Sequence, residues 1–277
     1  EVLGCLEFMK FVYDIFGMKY QLELSTRPAK ALGEQALWDR AESALANAMD
    51  DFIGEGNWRE NPGDGAFYGP KIDIKVMDAM DRIHQCATIQ LDFQLPIRFD
   101  LKYRKKGGSN NEDEVIDVES NDSATTTASV DQDGDYENNV LPPDFDRPVM
   151  VHRAMLGSVE RMFAVLLEHY GGKWPFWLSP RQALVVPVGM DFVPYAQDVR
   201  QKLKAQGFHV DVDDSKNSLK KKVREGQLAQ YNYILVVGEK ERDSESVSVR
   251  NRMNEQEGEK KVVEVISDFL ALRDTYQ

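Results

Sequence analysis

Strands and helices alternate after residue 178, and this alternation constrains the fold more than any other feature of the sequence. Strand patterns are present in QALVVPV, FHVDVD, YILVVG and SVSVR, and helical patterns cover residues 193–206, 219–230 and 262–272. Strands that alternate with helices of this length form a small, mostly parallel α/β sheet. We therefore predict a separate α/β domain over residues 179–277.

Residues 1–178 have a different pattern, in which several strands follow one another. Apolar residues have helical spacing over residues 1–16 and 35–53, and strand patterns are present in KYQLEL, AFYGP, KIDIKVMD and RIHQCATIQLDFQ. A short strand, PVMVH, and a helix over about residues 158–169 complete this part. These elements predict an antiparallel sheet with flanking helices, so the chain combines an α+β domain with an α/β domain.

The stretch from residue 107 to residue 141 contains ten acidic residues and neither Lys nor Arg. It is polar and low in complexity, so it cannot bury enough apolar surface to offset the entropy of ordering. We predict a disordered acidic insertion over residues 107–141, with its flanks, YRKK and LPPDFDRPVM, as neighbouring edges of one domain. Without these ten of the 47 acidic residues, the formal net charge of −13 becomes −3, because 37 acidic residues then face 34 basic ones.

Several classes of protein lose support because their patterns are absent. No apolar run approaches the roughly 20 residues that cross a bilayer, and EVLGCLEFMK lacks the features of a secretory signal. Two cysteines, Cys5 and Cys86, cannot form a disulfide framework or a CxxC metal site. HExxH, P-loop, nucleophile-elbow and GxGxxG motifs are also missing. Because Glu1 stands in an apolar-periodic segment, we expect the chain to be a piece of a longer protein.

The segment RPVMVHRAMLGSVERMF, residues 147–163, is the first candidate for a site. A strand carries His152, a turn passes Gly157 and Ser158, and a helix carries Arg161. Small residues let the backbone approach a ligand, and an arginine beside them can form bidentate bonds to phosphate. The spacing alone is also compatible with a surface arginine and with a structural histidine.

Polar side chains on two strands form the second candidate. In RIHQCATIQLDF, simple alternation places Gln85 on one face and Thr88 and Gln90 on the other. Such amide and hydroxyl groups suit recognition of a small polar ligand, although the polar side of the strand could equally face water. In GAFYGPK, Tyr68 and Lys71 flank a Gly-Pro turn that could also be an ordinary loop.

The third candidate is a basic helix start in SLKKKVREGQL, together with GEKE and SVSVRNR at strand ends. Basic residues mixed with polar and aromatic ones are compatible with single-stranded RNA, whereas a solvated helix face is the simpler interpretation. The remaining histidines, at positions 84, 169 and 209, have no neighbouring ligand at metal spacing and are predicted to be structural.

Together these segments resemble one family. STRP, GAFYGPKID, HQCATIQLDFQLP, RPVMVHRAMLGSVERMF and the GEKE/SVRNR pair resemble, in order and spacing, the threonyl-tRNA synthetases of the eukaryotic cytosolic type. The resemblance covers nearly the whole chain except the acidic stretch. It implies that residues 1–178 are part of a class II synthetase catalytic domain, with motif 3 at 147–163. It also implies that residues 179–277 form a small mixed-sheet α/β anticodon-binding domain.

The resemblance also implies a role for each candidate residue. Arg161 matches the arginine that holds the ATP γ-phosphate, and Lys71 matches a lysine near the reacting carboxylate. The other assignments are Tyr68 and Gln90 around the amino acid, Gln85 and Thr88 near the adenosine ribose, His152 as one of three zinc ligands, and Arg224, Glu241 and Arg250 as anticodon-reading positions.

The implied reaction is activation of threonine by ATP with Mg²⁺, followed by transfer to tRNA(Thr). A zinc ion that demands a hydroxyl group would reject valine, which a hydrophobic pocket rejects poorly. In the family, motifs 1 and 2 and the other two zinc ligands lie upstream of the matched region. We therefore expect this polypeptide to be inactive alone, and we do not expect Cys5 to replace a zinc ligand.

The resemblance further implies a homodimer for the full-length enzyme and a location in the cytoplasm. One alternative is a non-catalytic synthetase-like protein that binds RNA or has a regulatory role. A second alternative is a related class II synthetase, for proline or histidine. The joint presence of His152, Arg161, Gln90 and Lys71 favours the threonine enzyme.

Overall fold

A computed structural model describes residues 1–105 and 141–277, which divide into two units, residues 1–162 and 163–277. The acidic insertion predicted over residues 107–141 therefore lies outside the described residues, except for Leu141. Residues 163–178 belong to the second unit by their contacts, and the boundary predicted at about residue 178 stays a proposal.

A five-stranded sheet forms the centre of the first unit. The strands of this unit are β1 (Tyr20–Ser25), β2 (Arg59–Asn61), β3 (Lys71–Met77), β4 (Ile83–Asp92), β5 (Tyr103–Arg104), β6 (Phe145–Asp146) and β7 (Met150–Ala154). The order in the large sheet is β2-β1-β3-β4-β7, and only the β1–β2 pair is parallel. The predicted sheet is thus present, with one parallel edge pair. AFYGP, which was predicted as a strand, is instead a turn closed by a bridge between Ala66 and Gly69.

Helices precede and follow these strands along the chain, and the first two of them pack against the sheet through apolar stripes. They are α1 (Val2–Ile15), α2 (Gln35–Ile53), α3 (Gln94–Arg98) and α4 (Val159–Tyr170), of which α4 continues into the second unit. The stripes of α1 and α2 bury seven residues: Leu6, Met9, Tyr13, Trp38, Ala41, Leu45 and Met49. Ile72, Ile74 and Val76 of β3 are fully buried, as the strand alternation predicted.

Strands β5 and β6 form a separate antiparallel pair, and they lie on the two flanks of the acidic stretch. Tyr103 pairs with Asp146, and the backbone N–H of Lys105 donates to the carbonyl oxygen of Asp144 at 2.8 Å. The two flanks therefore lie side by side, as the sequence predicted.

A second five-stranded sheet forms the centre of the second unit. Its strands are β8 (Ala183–Pro187), β9 (Val210–Val212), β10 (Tyr233–Val237), β11 (Ser246–Asn251) and β12 (Gln256–Lys261), and its helices are α5 (Val193–Ala205), α6 (Leu219–Leu228), α7 (Glu239–Asp243) and α8 (Val262–Asp274). The order is β12-β11-β10-β8-β9. Strands β9, β8 and β10 are parallel, and β11 and β12 are antiparallel, so this sheet is mixed.

The two faces of this sheet have separate cores. Val185 and Leu235 face a large core that includes Val199 of α5 and Phe269 of α8. On the other face, Leu184, Val186, Ile234 and Val236 form a smaller core, against which Leu219 and Val223 of α6 pack. Helices therefore cover both faces of the parallel strands, which is typical of an α/β domain.

Candidate active site

The polar side of the first unit contains an open cavity of about 400 Å³. Its lining includes three of the residues that the sequence singled out: Tyr68, Gln90 and His152. The other lining residues are Phe67, Asp92, Gln94, Leu95 and Arg98. An aromatic and aliphatic lining with a few polar groups is typical of a small-molecule site.

Strand register explains why Gln90 and His152 meet at this cavity. Gln90 of β4 lies directly opposite His152 of β7, and side chains at paired positions project from the same face of a sheet. The hydroxyl of Tyr68 donates to Oε1 of Gln90 at 3.0 Å. The amide oxygen of Gln90 is thereby fixed, and its NH₂ group remains to donate to a ligand.

Gly69 allows Tyr68 to lie this close to β4. A Cβ atom at position 69 would lie 2.0 Å from the carbonyl oxygen of Leu91, which no side chain could tolerate. The backbone on both sides of Gly69 bonds to β4, since Leu91 N–H donates to Pro70 at 3.0 Å and Phe93 N–H donates to Tyr68 at 3.3 Å. The GAFYGP turn is therefore bound to the edge of the cavity.

A buried carboxylate orients His152. Its Nε2 lies 2.9 Å from Oδ2 of Asp92, whose side chain is 3% exposed, while the imidazole is 44% exposed. The other oxygen of Asp92 accepts the backbone N–H groups of Gln94 and Leu95 at 2.8 and 3.0 Å. This contact occupies Nε2 and leaves Nδ1 as the nitrogen for a ligand, an arrangement that metal-binding histidines commonly have.

His152 fits the role of one metal ligand, but the described residues do not form a complete metal site. No group of three His, Cys, Asp or Glu residues that could hold a metal exists within residues 1–105 and 141–277. Cys5 lies in α1, and Cys86 is 2% exposed and outside the cavity lining. Burial raises the pKa of the Cys86 thiol against the opposing charge of Arg161, so Cys86 is a poor thiolate donor.

A second polar cluster surrounds Asp73 of β3, on the same face of the sheet. Lys71 pairs with Gln90 and Asp73 pairs with Thr88 in the β3–β4 register, which places all four side chains on the cavity side. The Asp73 carboxylate is 1% exposed. The Nζ of Lys71 lies 2.7 Å from Asp73 Oδ2, and Thr88 Oγ1 donates to Oδ1 at 3.1 Å.

The charge of Lys71 is held in place by this carboxylate. Burial alone would lower the pKa of Lys71, but the hydrogen bond and charge of Asp73, with a smaller contribution from Asp64, raise it above its usual value. The lysine is therefore a fixed ammonium at neutral pH, with its side chain only 15% exposed.

A β-bulge brings Gln85 to the same cluster and corrects the predicted alternation. Ile74 pairs with Ala87 and Lys75 pairs with Gln85, so Cys86 is an extra residue in β4. The bulge shifts the alternation by one residue and places Gln85 on the side of Thr88, where its Nε2 lies 3.2 Å from Thr88 Oγ1 and also bonds to Asp73. The sequence-based prediction of opposite faces for Gln85 and Thr88 was wrong because a bulge leaves no mark in the apolar pattern.

Arg161 lies in the first turn of α4, beside this cluster and outside the cavity lining. Its Nη1 donates to the backbone carbonyl of Gln85 at 3.1 Å. Gly157 precedes the helix with a φ of +59°, and a Cβ atom there would lie 2.6 Å from the Cys86 carbonyl oxygen. The predicted strand-turn-helix therefore exists, and its turn is packed against the bulge of β4.

In the second unit, the three candidate positions are on different elements. Arg224 is exposed on α6, and Arg250 of β11 pairs with Ile234, which faces α6, so the two arginines share one side of the sheet. Glu241 of α7 accepts the backbone N–H of Gly238 at 2.9 Å, just beyond the end of β10. Arg250 pairs near the start of β10, so Glu241 and Arg250 lie near opposite ends of that strand, about 10 Å apart along it.

Two family models match the chain. The tRNA synthetase class II core domain (G, H, P, S and T) matches residues 1–126, and the anticodon binding domain matches residues 182–272. Threonine–tRNA ligase 1, cytoplasmic, of Rattus norvegicus is 52% identical over 274 residues. Threonine–tRNA ligase, cytoplasmic, of Saccharomyces cerevisiae is 48% identical over 275 residues. The chain belongs to the threonyl-tRNA synthetase family.

Each of these threonyl-tRNA synthetase alignments covers 99% of this chain but only 34% and 33% of the rat and yeast proteins. The chain thus spans about a third of the length of the curated relatives that it matches. A crystal structure described as the RNA binding domain of threonyl-tRNA synthetase from Cryptosporidium parvum is 44% identical, with a TM-score of 0.80. That comparison covers 98% of this chain and 59% of the other.

Two acidic residues of the candidate site were not among the predicted site residues. Asp92 is two residues beyond Gln90 in β4 and therefore points to the same face, which was a usable signal. Asp73 alternates with the buried Ile72 and Ile74, so the strand pattern of KIDIKVMD places it on the other face. The local pattern thus gives the face of each strand on which these carboxylates lie, but not their burial or their partners.

One lysine of the predicted basic cluster is not on the surface. Lys222 is 3% exposed, and its Nζ donates to the carbonyl oxygens of Asp213 at 3.0 Å and Pro187 at 3.3 Å. The neighbouring Lys221 is exposed and lies 3.7 Å from Glu225. Lys222 therefore connects the ends of β8 and β9, whereas Arg224 is exposed on the surface of the second unit.

No helix in the described part of the chain is both long and apolar enough to span a membrane.

Proposed function

We propose that this chain acts as part of a threonine–tRNA ligase, which activates threonine with ATP and transfers it to tRNA(Thr). The observation that carries this proposal is the meeting of Tyr68, Gln90 and His152 at one cavity, with Lys71 on the same face of the sheet. The proposed partners are threonine, ATP and tRNA(Thr). The proposal further includes a cytoplasmic location, in line with the names of the relatives, and a homodimer of the full-length protein.

In the first step, a carboxylate oxygen of threonine attacks the α-phosphate of ATP, and pyrophosphate leaves. Lys71 is proposed to hold the reacting carboxylate, because Asp73 keeps its ammonium in one place. Gln85 and Thr88 are proposed to bind the ribose of ATP, and Arg161 the γ-phosphate. Fixed positive groups stabilise the charge that grows on the phosphate oxygens, and Mg²⁺ accompanies ATP in that role.

Tyr68 and Gln90 are proposed to recognise the amino acid beside His152. His152 would supply one zinc ligand, through Nδ1, with Asp92 fixing the tautomer of the ring. When bound, zinc supplies a Lewis acid that takes the amino and hydroxyl groups of threonine and so rejects valine.

The second unit is proposed to read the anticodon through Arg224, Glu241 and Arg250. Single-stranded bases of an RNA loop can be splayed and bound on their edges by such side chains. The exposure of Arg224 supports this role, as does the position of Arg224 and Arg250 on one side of the sheet.

The decisive experiment is ATP–pyrophosphate exchange by the full-length protein that contains this chain. We expect exchange with threonine, little with valine, and loss of exchange in Gln90→Ala and His152→Ala. The chain of 277 residues is expected to give no exchange by itself. Binding of tRNA without any exchange would refute the proposal and favour a non-catalytic RNA-binding protein.

Anticodon reading is tested separately by binding of tRNA(Thr) and of a tRNA with a changed anticodon. Arg224→Ala should weaken binding of tRNA(Thr) about tenfold or more, because a base-reading arginine contributes about 1–3 kcal/mol. Lys202→Ala is the matched control, since Lys202 is an exposed basic residue of α5 that pairs with Asp198. Equal losses in the two variants would indicate nonspecific electrostatics and contradict the assignment.

A further inference from the structure

Four side chains converge on one buried carboxylate beneath the candidate active site. Asp73 Oδ2 accepts from Lys71 at 2.7 Å and from the hydroxyl of Ser25 at 2.8 Å. Its Oδ1 accepts from Thr88 at 3.1 Å and from the amide of Gln85. Each oxygen thus has two donors, which satisfies a buried carboxylate fully.

We propose that Asp73 is a positioning residue that sets the geometry of Lys71, Gln85 and Thr88 for activation of the amino acid. This inference rests on the proposed function and adds a residue to it. Asp73 itself would not touch either substrate, because it is 1% exposed and its oxygens are occupied by these side chains.

The position of Lys71 depends directly on this carboxylate. A lysine side chain has four rotatable bonds, and the ion pair with Asp73 selects one arrangement of them. Asp64, the other acidic partner, lies 3.4 Å away and its side chain is 58% exposed, so it is a weaker constraint. Without Asp73 the ammonium would move toward Asp64 and solvent.

The orientation of the Gln85 amide also follows from Asp73. Because the NH₂ group of Gln85 faces both Asp73 and Thr88 Oγ1, its Oε1 is the atom left to accept a hydrogen bond from a ligand hydroxyl. The Thr88 hydroxyl likewise donates its hydrogen bond to Asp73, so toward a ligand it can act only as an acceptor. A neutral asparagine at position 73 could donate instead of accept, which would reverse both orientations.

Arg161 is connected to the same cluster through the backbone of Gln85. Its guanidinium donates to the Gln85 carbonyl at 3.1 Å, three residues before Thr88. Three of the residues assigned by family resemblance to ATP and the reacting carboxylate therefore bond to Asp73, and the fourth, Arg161, bonds to the backbone of Gln85. Tyr68, Gln90 and His152 make contacts of their own. This division predicts which kinetic constants depend on Asp73.

The test is Asp73→Asn in the full-length protein, followed by ATP–pyrophosphate exchange. We expect kcat to fall about 100-fold, since misplacing a catalytic group by about 1 Å costs that much, and KM for ATP to rise. The KM for threonine should rise less than the KM for ATP, because only Lys71 of the groups proposed to bind threonine is held by Asp73, whereas Tyr68, Gln90 and His152 keep their own contacts. Unchanged kcat and KM for ATP, or a KM for threonine raised as much as that for ATP, would overturn the inference.

Asp78→Asn is the matched control for a merely structural effect. Asp78 is another aspartate with a fully buried side chain, in the turn between β3 and β4, where Arg82 and His84 bond to it. Its variant should lower the melting temperature and leave all three kinetic constants at wild-type values. If both variants reduce kcat equally, Asp73 has only a structural role.

A double-mutant cycle tests whether Asp73 acts through Lys71. In a Lys71→Met background, Asp73→Asn should reduce kcat by less than about threefold, and fully multiplicative losses would contradict the proposal. If Asp73→Asn does not fold, Asp73→Glu decides instead, with an expected fall in kcat of about tenfold because the charge is kept and displaced. A wild-type protein without any exchange would overturn the proposed function and this inference together.

Discussion

The Nε2 atom of His152 lies 2.9 Å from Oδ2 of Asp92, across two antiparallel strands. A second pair in the same unit has nearly the same geometry, since His84 Nε2 lies 2.8 Å from Asp78 Oδ2. The first pair lines the cavity and the second does not. We therefore expect the Asp92–His152 contact to affect ligand binding at the cavity, and the Asp78–His84 contact to affect only the stability of the fold.

We expect Asp92→Asn to weaken zinc binding about 10- to 100-fold, because the carboxylate fixes the tautomer and orientation of His152. The measurement is the zinc content of the full-length protein after dialysis against a chelator series. His84→Ala is the control and should retain the wild-type zinc content. Undiminished zinc in Asp92→Asn would contradict the assignment of His152 as a ligand.

Gly69→Ala should destabilise the protein by about 1–3 kcal/mol or more, since its Cβ would lie 2.0 Å from the Leu91 carbonyl oxygen. Urea unfolding of the 277-residue chain measures the change. Gly4→Ala is the control, because nothing lies within 4 Å of the new atom and alanine favours helix α1. That variant should be neutral or more stable by up to about 1 kcal/mol. Equal effects of the two substitutions would show that Leu91 can move away.

Lys222→Met should lower the unfolding free energy of the second unit by about 1–3 kcal/mol. The substitution removes the ammonium group that donates to the carbonyl oxygens of Pro187 and Asp213. Lys221→Met, one residue away on the surface, should change stability by less than about 0.5 kcal/mol. Thermal unfolding of both variants checks the difference, and a stable Lys222→Met would mean that water replaces the ammonium.

Asp78 should make the stability of the first unit dependent on acid pH. Burial alone would raise the pKa of Asp78, but hydrogen bonds from His84 and Arg82 hold it well below its usual value. A carboxylate whose pKa is lower in the folded protein than in the unfolded chain stabilises the fold at pH values above the unfolded pKa of about 3.9. This stabilisation is lost progressively as the pH falls from that value through the pKa of the folded protein. Denaturant unfolding between pH 7 and pH 3 should show a steeper loss for the wild type than for Asp78→Asn.

The matched control for this pH dependence is Asp14→Asn, since Asp14 is an exposed carboxylate that pairs with Lys10 in α1. Its acid profile should follow that of the wild type. An Asp78→Asn profile parallel to the wild type would assign the acid sensitivity to other carboxylates.

Local periodicity predicted most of the elements because apolar spacing is a property of neighbouring residues. Helix α5, predicted over residues 193–206, is Val193–Ala205, and the strand in KIDIKVMD is Lys71–Met77. Strand β12, Gln256–Lys261, was not predicted because its side chains are mostly exposed and polar. It is a strand because its backbone pairs with the edge of β11, a contact that the local sequence pattern does not show. The motifs also carried the family resemblance, and with it the candidates Tyr68, Lys71, Gln90 and His152.

The tertiary structure alone decided which carboxylates support these candidates. Asp92 and His152 are 60 residues apart in the chain, and Ser25 and Asp73 are 48 apart. These contacts depend on strand register, and the contact of Gln85 with Asp73 also depends on the bulge at Cys86. Neither the register nor the bulge is encoded in the spacing of apolar residues. The sequence therefore determined the elements and the candidate chemistry, whereas the pairing of distant strands determined the hydrogen bonds, because a bond forms only between atoms that folding brings within about 3 Å.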